Sequence, residues 1–182
     1  MSRIPTPGTI ADAPEAARPL LEAVKSQLGS VPNLFRIVAN SPAALEGYLG
    51  LNGALGKGKL SSATRERVAL AVAEINGCNY CLAAHTYLGT NLAKLDAAEI
   101  IANRHGGSGD AKADAAVRFA AKIVRERGRV SAADVEAVRT AGYGDAEIVE
   151  IVAHVALNTL TNYVNEALGT VIDFPEVDRL AA

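Results

Sequence analysis

The chain has 182 residues, 49% hydrophobic and 4% aromatic, and a formal net charge of −2. This length and apolar content predict one folded domain over residues 1–182 and argue against a disordered chain. The near-neutral charge provides no basic surface for nucleic acid or for anionic lipid. The sequence shows neither a signal peptide nor the roughly 18 consecutive apolar residues of a transmembrane helix, so we expect a cytoplasmic protein with no membrane partner.

Helical periodicity dominates after an N-terminal arm, residues 1–13, that holds Pro5, Pro7 and Gly8. Capping and breaker residues then predict helices over 14–28, just after Pro32, from 42 to about 55, 62–76, 78 to about 92, 96–103, 111–127, 131–141 and 145–168. No segment has the pattern of a strand or of a βαβ unit. The sequence therefore predicts an all-α fold and argues against a thioredoxin fold.

A weak internal similarity accompanies this helical pattern. Aligning Glu66 with Glu147 places Thr159 and Asn162 at the positions of Cys78 and Cys81. Each half then has a helix, a break and a second helix before the aligned glutamate. This pattern predicts a duplication of one helical unit, with one active half and one inert half.

Four residues in the region 61–92 carry the chemistry, in the pattern E-x11-C-x2-C-x3-H: Glu66, Cys78, Cys81 and His85. On one helix the two cysteines and the histidine share a narrow arc, so His85 can take a proton from Cys81. Cys78 lies at a helix N-terminus, where the helix dipole favours a thiolate. Glu66 precedes the Asn76-Gly77 break and can fold back to orient His85. A thiolate attacks peroxide, and a neighbouring cysteine then closes a disulfide, so the pattern predicts redox chemistry.

The two cysteines have two other possible uses. A structural zinc site needs four ligands, so Cys78, Cys81 and His85 would require a remote His105 or His154. Cysteines also serve as small buried hydrophobic residues. Because His85 is in register with both cysteines, redox chemistry without a metal or other cofactor is the favoured interpretation.

Further polar residues lie near this region or far along the chain. Tyr80 either lines a pocket or packs in the core, and His154 in an apolar run is interpreted as a core histidine. His105, in a glycine-rich loop, is expected to be exposed. Asn158, Asn162 and Asn165 share one helix face, and buried structural hydrogen bonds are favoured over a role as a pocket wall.

The motif and its flanking helices resemble the AhpD-like alkylhydroperoxidases of the carboxymuconolactone decarboxylase superfamily. The resemblance covers most of the chain, including VPNLFRIVANSPAALEGYL, the motif region and HVALNTLTNYVNEALGTVIDFPEV. The last two of these segments look most like the peroxidase-related branch. The resemblance implies an AhpD-like helical bundle. Because the decarboxylase branch lacks the cysteine pair, lactone decarboxylation is not expected here.

The same resemblance implies a peroxiredoxin-type alkylhydroperoxidase and a role for each motif residue. Cys81 would be the peroxidatic cysteine and Cys78 its resolving partner, with His85 as the base and Glu66 in the proton relay. It also implies a small hydroperoxide substrate, recycling by a dithiol or lipoyl protein, and homo-oligomers such as trimers or hexamers. One departure is Tyr80, where the best-studied hydroperoxidases have histidine. This departure keeps open an alternative, a thiol–disulfide reductase or redox-sensing module with little peroxidase turnover.

Overall fold

The computed structural model describes residues 1–178 and 180, and all regular structure in this part of the chain is helical. Two 3₁₀ turns, Ile10–Asp12 and Glu15–Ala17, precede the α-helices. The helices are α1 Arg18–Leu28, α2 Asn33–Val38, α3 Pro42–Leu55, α4 Ser62–Asn76, α5 Asn79–Asn91, α6 Ala97–Arg104, α7 Ala111–Glu126, α8 Ala132–Thr140 and α9 Asp145–Leu168. The prediction of an all-α fold is confirmed.

Side-chain caps mark the starts of the helices α3 to α8. The Ser41 hydroxyl accepts the N–H of Ala44 at 3.3 Å and so caps α3. The first helix differs from the prediction, because residues 15–17 form a 3₁₀ turn and α1 begins only at Arg18. A helix from residue 14 would place Pro19 in its interior, where the missing N–H is costly. At the start of α1 no such N–H is required.

Helix α4 is the central element of the fold. It packs against α5, α6, α7 and α9. Its central residues are buried on every side, with Leu70, Ala71 and Val72 each 0% exposed. A helix surrounded in this way has little freedom to shift, because protein interiors are close-packed. It therefore holds both Glu66, near its start, and the break at its end in fixed positions.

The N-terminal arm and the segment around Phe174 lie against this helical body. The Arg3 N–H donates to the Leu168 carbonyl at 2.7 Å, and Arg3 Nη1 donates to the Glu166 carbonyl at 2.6 Å. The arm thus satisfies carbonyls that the end of α9 leaves without intrahelical partners. In the segment that follows α9, the ring of Phe174 meets that of Tyr80 edge to face, with centroids 5.8 Å apart. The C-terminal segment therefore covers part of α5.

The two halves of the predicted duplication differ in their local structure. The first half breaks between α4 and α5 at Gly77, whereas α9 runs without interruption through Thr159 and Asn162. The duplication stays a prediction. Within the described residues, none of the helices is both long and apolar enough to span a membrane.

Candidate functional site

The break between α4 and α5 determines where the two cysteines lie. Gly77 has φ 69°, a left-handed conformation that glycine adopts readily, and it ends α4. Cys78 is then the N-cap of α5, and its Sγ accepts the N–H of Cys81 at 3.3 Å. Cys81 lies in the first turn of α5. This local geometry directs both sulfur atoms to the same side of the helix start.

The two thiols are in direct contact and are not joined by a disulfide. Cys78 Sγ donates to Cys81 Sγ across 2.8 Å. Cys78 is 0% exposed and Cys81 is 3% exposed. A disulfide between them would therefore need only a small movement within the first turn of α5.

The surroundings make the two cysteines chemically unequal. The hydrogen bond from Cys78 lowers the pKa of Cys81 to about 7, although burial alone would raise it. The His85 charge and the Asn165 amide also lower this pKa. Donation to Cys81, followed by burial, raises the pKa of Cys78. The helix N-terminus acts in the expected direction, since the Cys81 N–H lowers the pKa of Cys78, but the hydrogen bond to Cys81 and burial outweigh it and Cys78 stays a thiol. Cys81 is the sulfur that ionises first.

His85 and Glu66 form an ion pair beside the thiols. The distance from His85 Nδ1 to Glu66 Oε2 is 2.8 Å, and each side chain is 21% exposed. Burial alone would lower the pKa of His85, but the charge and hydrogen bond of Glu66, together with Cys81, raise it above its ordinary value. The structure therefore brings the four motif residues together, although α4 and α5 contribute them separately. A thiolate next to an imidazolium can both attack an electrophile and return a proton.

The asparagine face of α9 contributes directly to the thiol environment. Asn165 Nδ2 donates to Cys81 Sγ at 3.2 Å. Asn162 Oδ1 accepts the Nδ2 of Asn76 at 2.8 Å, which links α9 to the end of α4. Asn158 lines the cavity in front of Cys81. The favoured structural role therefore holds in part, because Asn158 also donates to the His154 carbonyl at 2.8 Å, while both Asn162 and Asn165 lower the pKa of Cys81.

Two tyrosines complete this wall of the site. Tyr80 both packs and lines the cavity, and its hydroxyl accepts the N–H of Leu34 at 3.1 Å. Tyr48 of α3 also lines the cavity. Burial, followed by the charges of Cys81 and Glu66, raises the pKa of Tyr48, which keeps it a neutral phenol. No pattern in the sequence connects Tyr48 with the motif, because the packing of α3 alone brings it there.

Cys81, His85 and Glu66 open onto one cavity of about 260 Å³. Its apolar lining is formed by Leu34, Ala69, Ala84 and Leu157. A cavity of this volume has room for several water molecules, since one water needs only about 10–15 Å³ of such space. The cavity can therefore hold a small organic molecule with one end at the Cys81 sulfur.

The two remaining histidines differ in their surroundings. His105 is exposed at the end of α6, as expected. His154 is 5% exposed, but it is not a satisfied core histidine, since its Nε2 has no hydrogen-bond partner in the described part of the chain and the residue lines the cavity. Among residues 1–178 and 180, no three His, Cys, Asp or Glu side chains cluster in a way that could hold a metal ion.

Comparison with known proteins finds one matching family model and several solved structures with a similar fold. The sequence model of the carboxymuconolactone decarboxylase family matches residues 42–122, a range that contains all four motif residues. A peroxidase-related protein from Ralstonia eutropha JMP134, described as an alkylhydroperoxidase AhpD core, is 26% identical with a TM-score of 0.84. That similarity covers 94% of this chain and 92% of the other. A search of curated proteins finds no significant match.

Two further solved structures have a similar fold. A peroxidase-related protein from Silicibacter sp. TM1040 is 28% identical, with a TM-score of 0.79 over 92% of this chain and 91% of its own. A cysteine-to-alanine variant of the debrominase Bmp8, in complex with 2,3,4-tribromopyrrole, is 19% identical with a TM-score of 0.77. That similarity covers 95% of this chain and 94% of the debrominase chain. The last likeness is one of fold. Because one fold can host different chemistry, the activity must be inferred from the site itself.

Proposed function

Since this chain belongs to the superfamily of AhpD-like proteins and carboxymuconolactone decarboxylases, we propose that it is a cysteine-dependent hydroperoxide reductase. The observation that carries the proposal is the contact between Cys78 and Cys81, with the lower pKa at Cys81, beside the Glu66–His85 ion pair. A nucleophilic thiolate, a proton donor and a second thiol are the three groups that the reaction requires.

The first step oxidises Cys81. Its thiolate attacks the outer oxygen of the hydroperoxide, a sulfur–oxygen bond forms and the oxygen–oxygen bond breaks. The protonated His85 gives its proton to the departing alkoxide, so that an alcohol leaves and Cys81 becomes a sulfenic acid. Glu66 holds the imidazole ring in place and stabilises its charge before this transfer.

The second step closes the disulfide. The Cys78 sulfur attacks Cys81, the hydroxide of the sulfenic acid leaves, and the proton of Cys78 converts it to water. A dithiol donor then reduces the disulfide, which returns one proton to Cys78 and one to His85. The balance is one hydroperoxide and one dithiol consumed, with one alcohol, one water and one oxidised donor formed.

Access to the sulfur atoms favours a donor with a slender reactive end. Cys78 is 0% exposed and Cys81 is 3% exposed, and Cys81 faces the cavity. A small dithiol or the extended arm of a lipoyl protein can enter such a cavity, whereas the disulfide of a folded protein cannot. Burial of the pair therefore favours a hydroperoxide reductase over a thiol–disulfide reductase that acts on proteins, while a redox-sensing module with little peroxidase turnover stays the alternative.

We also propose that the chain binds further copies of itself through α9. Four large apolar side chains on α9 are exposed by 45–67% and lie within one arc of the helix: Val149, Val152, Leu160 and Tyr163. A continuous exposed apolar stripe is typical of a protein interface. We expect the protein to form trimers or hexamers in the cytoplasm. Light scattering coupled to gel filtration measures the molar mass and so gives the number of subunits.

The test of the proposed activity is peroxide consumption in the presence of a dithiol. Purified protein is mixed with cumene hydroperoxide and either dithiothreitol or dihydrolipoamide, with Cys81→Ser as the matched protein control. We expect turnover that depends on both the enzyme and the dithiol and that Cys81→Ser lacks. Equal rates for wild type and Cys81→Ser with every dithiol would refute the proposed function.

A further inference from the structure

A guanidinium without an acidic partner lies in the cavity wall. Arg65 of α4 lines the cavity, and its Nη1 donates to the carbonyls of Leu55 at 3.3 Å and Gly56 at 2.9 Å. These bonds anchor the side chain against the end of α3. Within the described part of the chain Arg65 forms no ion pair. A guanidinium has five N–H donors, so most of its donors are left for another acceptor.

His154 of α9 is an independent second observation in the same cavity. The side chain is 5% exposed and its Nε2 has no hydrogen-bond partner among residues 1–178 and 180. Buried polar atoms are nearly always paired, so this unpaired nitrogen, which lies just behind the cavity surface, points to a ligand that a small turn of the ring would reach. Arg65 and His154 line the same cavity, and burial together with the Arg65 charge lowers the pKa of His154.

The acidic groups around this cavity have other partners. Glu66 pairs with His85. Glu150, which also acts on His154, accepts the backbone N–H groups of Lys59 and Leu60 at 2.8 and 3.0 Å. The other ionisable side chains that line the cavity are Tyr48, Tyr80 and Cys81. Positive charge at Arg65 is therefore not neutralised by a carboxylate of the described chain.

From these contacts we infer that the cavity binds a hydroperoxide with a carboxylate at one end and an apolar body, the carboxylate accepting from Arg65 and His154. The inference rests on the proposed function for the identity of the reacting group. The apolar lining, such as Leu34 and Leu157, would contact the body of the molecule. The hydroperoxide end would face Cys81, across the same cavity.

The binding half of this inference can be tested without peroxide chemistry. Benzoate and benzamide have nearly the same shape, but only benzoate is charged, and both are small enough for a cavity of about 260 Å³. Isothermal titration calorimetry of the full-length protein gives both dissociation constants. Because hydrogen bonds to charged groups are the stronger ones, we expect benzoate to bind about 10–100-fold tighter than benzamide.

Variants of Arg65 and His154 test whether these two residues cause the preference for benzoate over benzamide. Arg65→Gln should abolish the preference for benzoate, and Arg65→Lys should retain part of it. Lys57→Gln removes a positive charge from the exposed loop beyond α3, outside the cavity wall, and should retain all of it. His154→Phe keeps an aromatic ring but no hydrogen-bonding group, and should weaken benzoate binding about 2–10-fold, while His154→Gln restores part of the loss.

The outcomes separate this inference from the proposed function. Equal binding of benzoate and benzamide, no binding of either, or an undiminished preference in Arg65→Gln would overturn the carboxylate site, even if peroxide is consumed. A second readout compares kcat/KM for cumene hydroperoxide with that for its para-carboxylate derivative. We expect the carboxylate to be preferred by wild type and the preference to be lost in Arg65→Gln. Loss of peroxide turnover with an intact benzoate preference would refute only the proposed function.

Discussion

Replacing Asn165 tests how α9 activates the thiol on α5. Asn165→Leu keeps the approximate volume but removes the Nδ2 donor that lies 3.2 Å from Cys81 Sγ. A hydrogen bond to a charged group contributes about 1.5–3 kcal/mol, and one pKa unit corresponds to about 1.4 kcal/mol. Sulfur is a weak acceptor, so we take the lower end and expect the pKa of Cys81 to rise by about 1.

This change has a defined effect on reactivity. With a pKa of about 7, roughly half of Cys81 is thiolate near neutral pH. After the substitution about a tenth would be thiolate, so the second-order rate with hydroperoxide should fall about fivefold near neutral pH. At alkaline pH, above both pKa values, the thiol ionises in both proteins and their rates should converge.

The pKa of Cys81 is measured from the pH dependence of iodoacetamide alkylation, with the modified peptide identified by mass spectrometry. Asn158→Leu is the matched control, because it removes another buried amide of the same helix face, one that donates to the His154 carbonyl and not to the thiol. The control should leave the pKa of Cys81 unchanged. An Asn165→Leu profile that coincides with that of wild type would show that the α9 amide does not stabilise the thiolate.

Further substitutions probe the relay and the packing around it. His85→Ala should slow peroxide reduction by about 10²–10⁴-fold, with part of the loss recovered at high pH, and stopped-flow rates across pH measure both effects. Glu66→Gln should lower the pKa of His85 and give a milder form of the same loss; an unchanged pH profile would exclude Glu66 from the relay. Tyr80→Phe leaves the buried Leu34 N–H without its acceptor, so we expect urea unfolding to show a loss of about 1–3 kcal/mol while the peroxide rate stays within about twofold. A fall in that rate without a loss of stability would instead assign Tyr80 a part in the chemistry.

Local signals in the sequence were sufficient for most of the helix boundaries. Ser41-Pro42 and Gly77 carry conformational preferences of their own, and α3 begins and α4 ends at these residues. Pro19 was the signal that residues 14–17 would not join α1. The helical pattern of residues 14–28 suggested one helix, but the missing N–H of Pro19 decided where α1 begins.

The candidate site was predictable only where its residues are near each other in sequence. Cys78, Cys81 and His85 lie on one turn-spaced segment, so their proximity followed from helix geometry. Asn165 and His154 lie more than sixty residues away, and only the packing of α9 against α4 and α5 brings them to the cavity. The relative pKa of the two cysteines was also beyond the sequence, because it depends on which sulfur donates and on which amides surround it.

The most direct test of the central claim is a single turnover with one equivalent of cumene hydroperoxide, quenched and mapped by mass spectrometry. Cys78→Ser should acquire one oxygen at Cys81, trapped by dimedone as a sulfenic acid, and Cys81→Ser should stay unmodified. Wild type should form the Cys78–Cys81 disulfide without a trappable sulfenic acid. The contrary result, an inert Cys78→Ser and a sulfenic acid at Cys78 in Cys81→Ser, would make Cys78 the nucleophile and contradict the account.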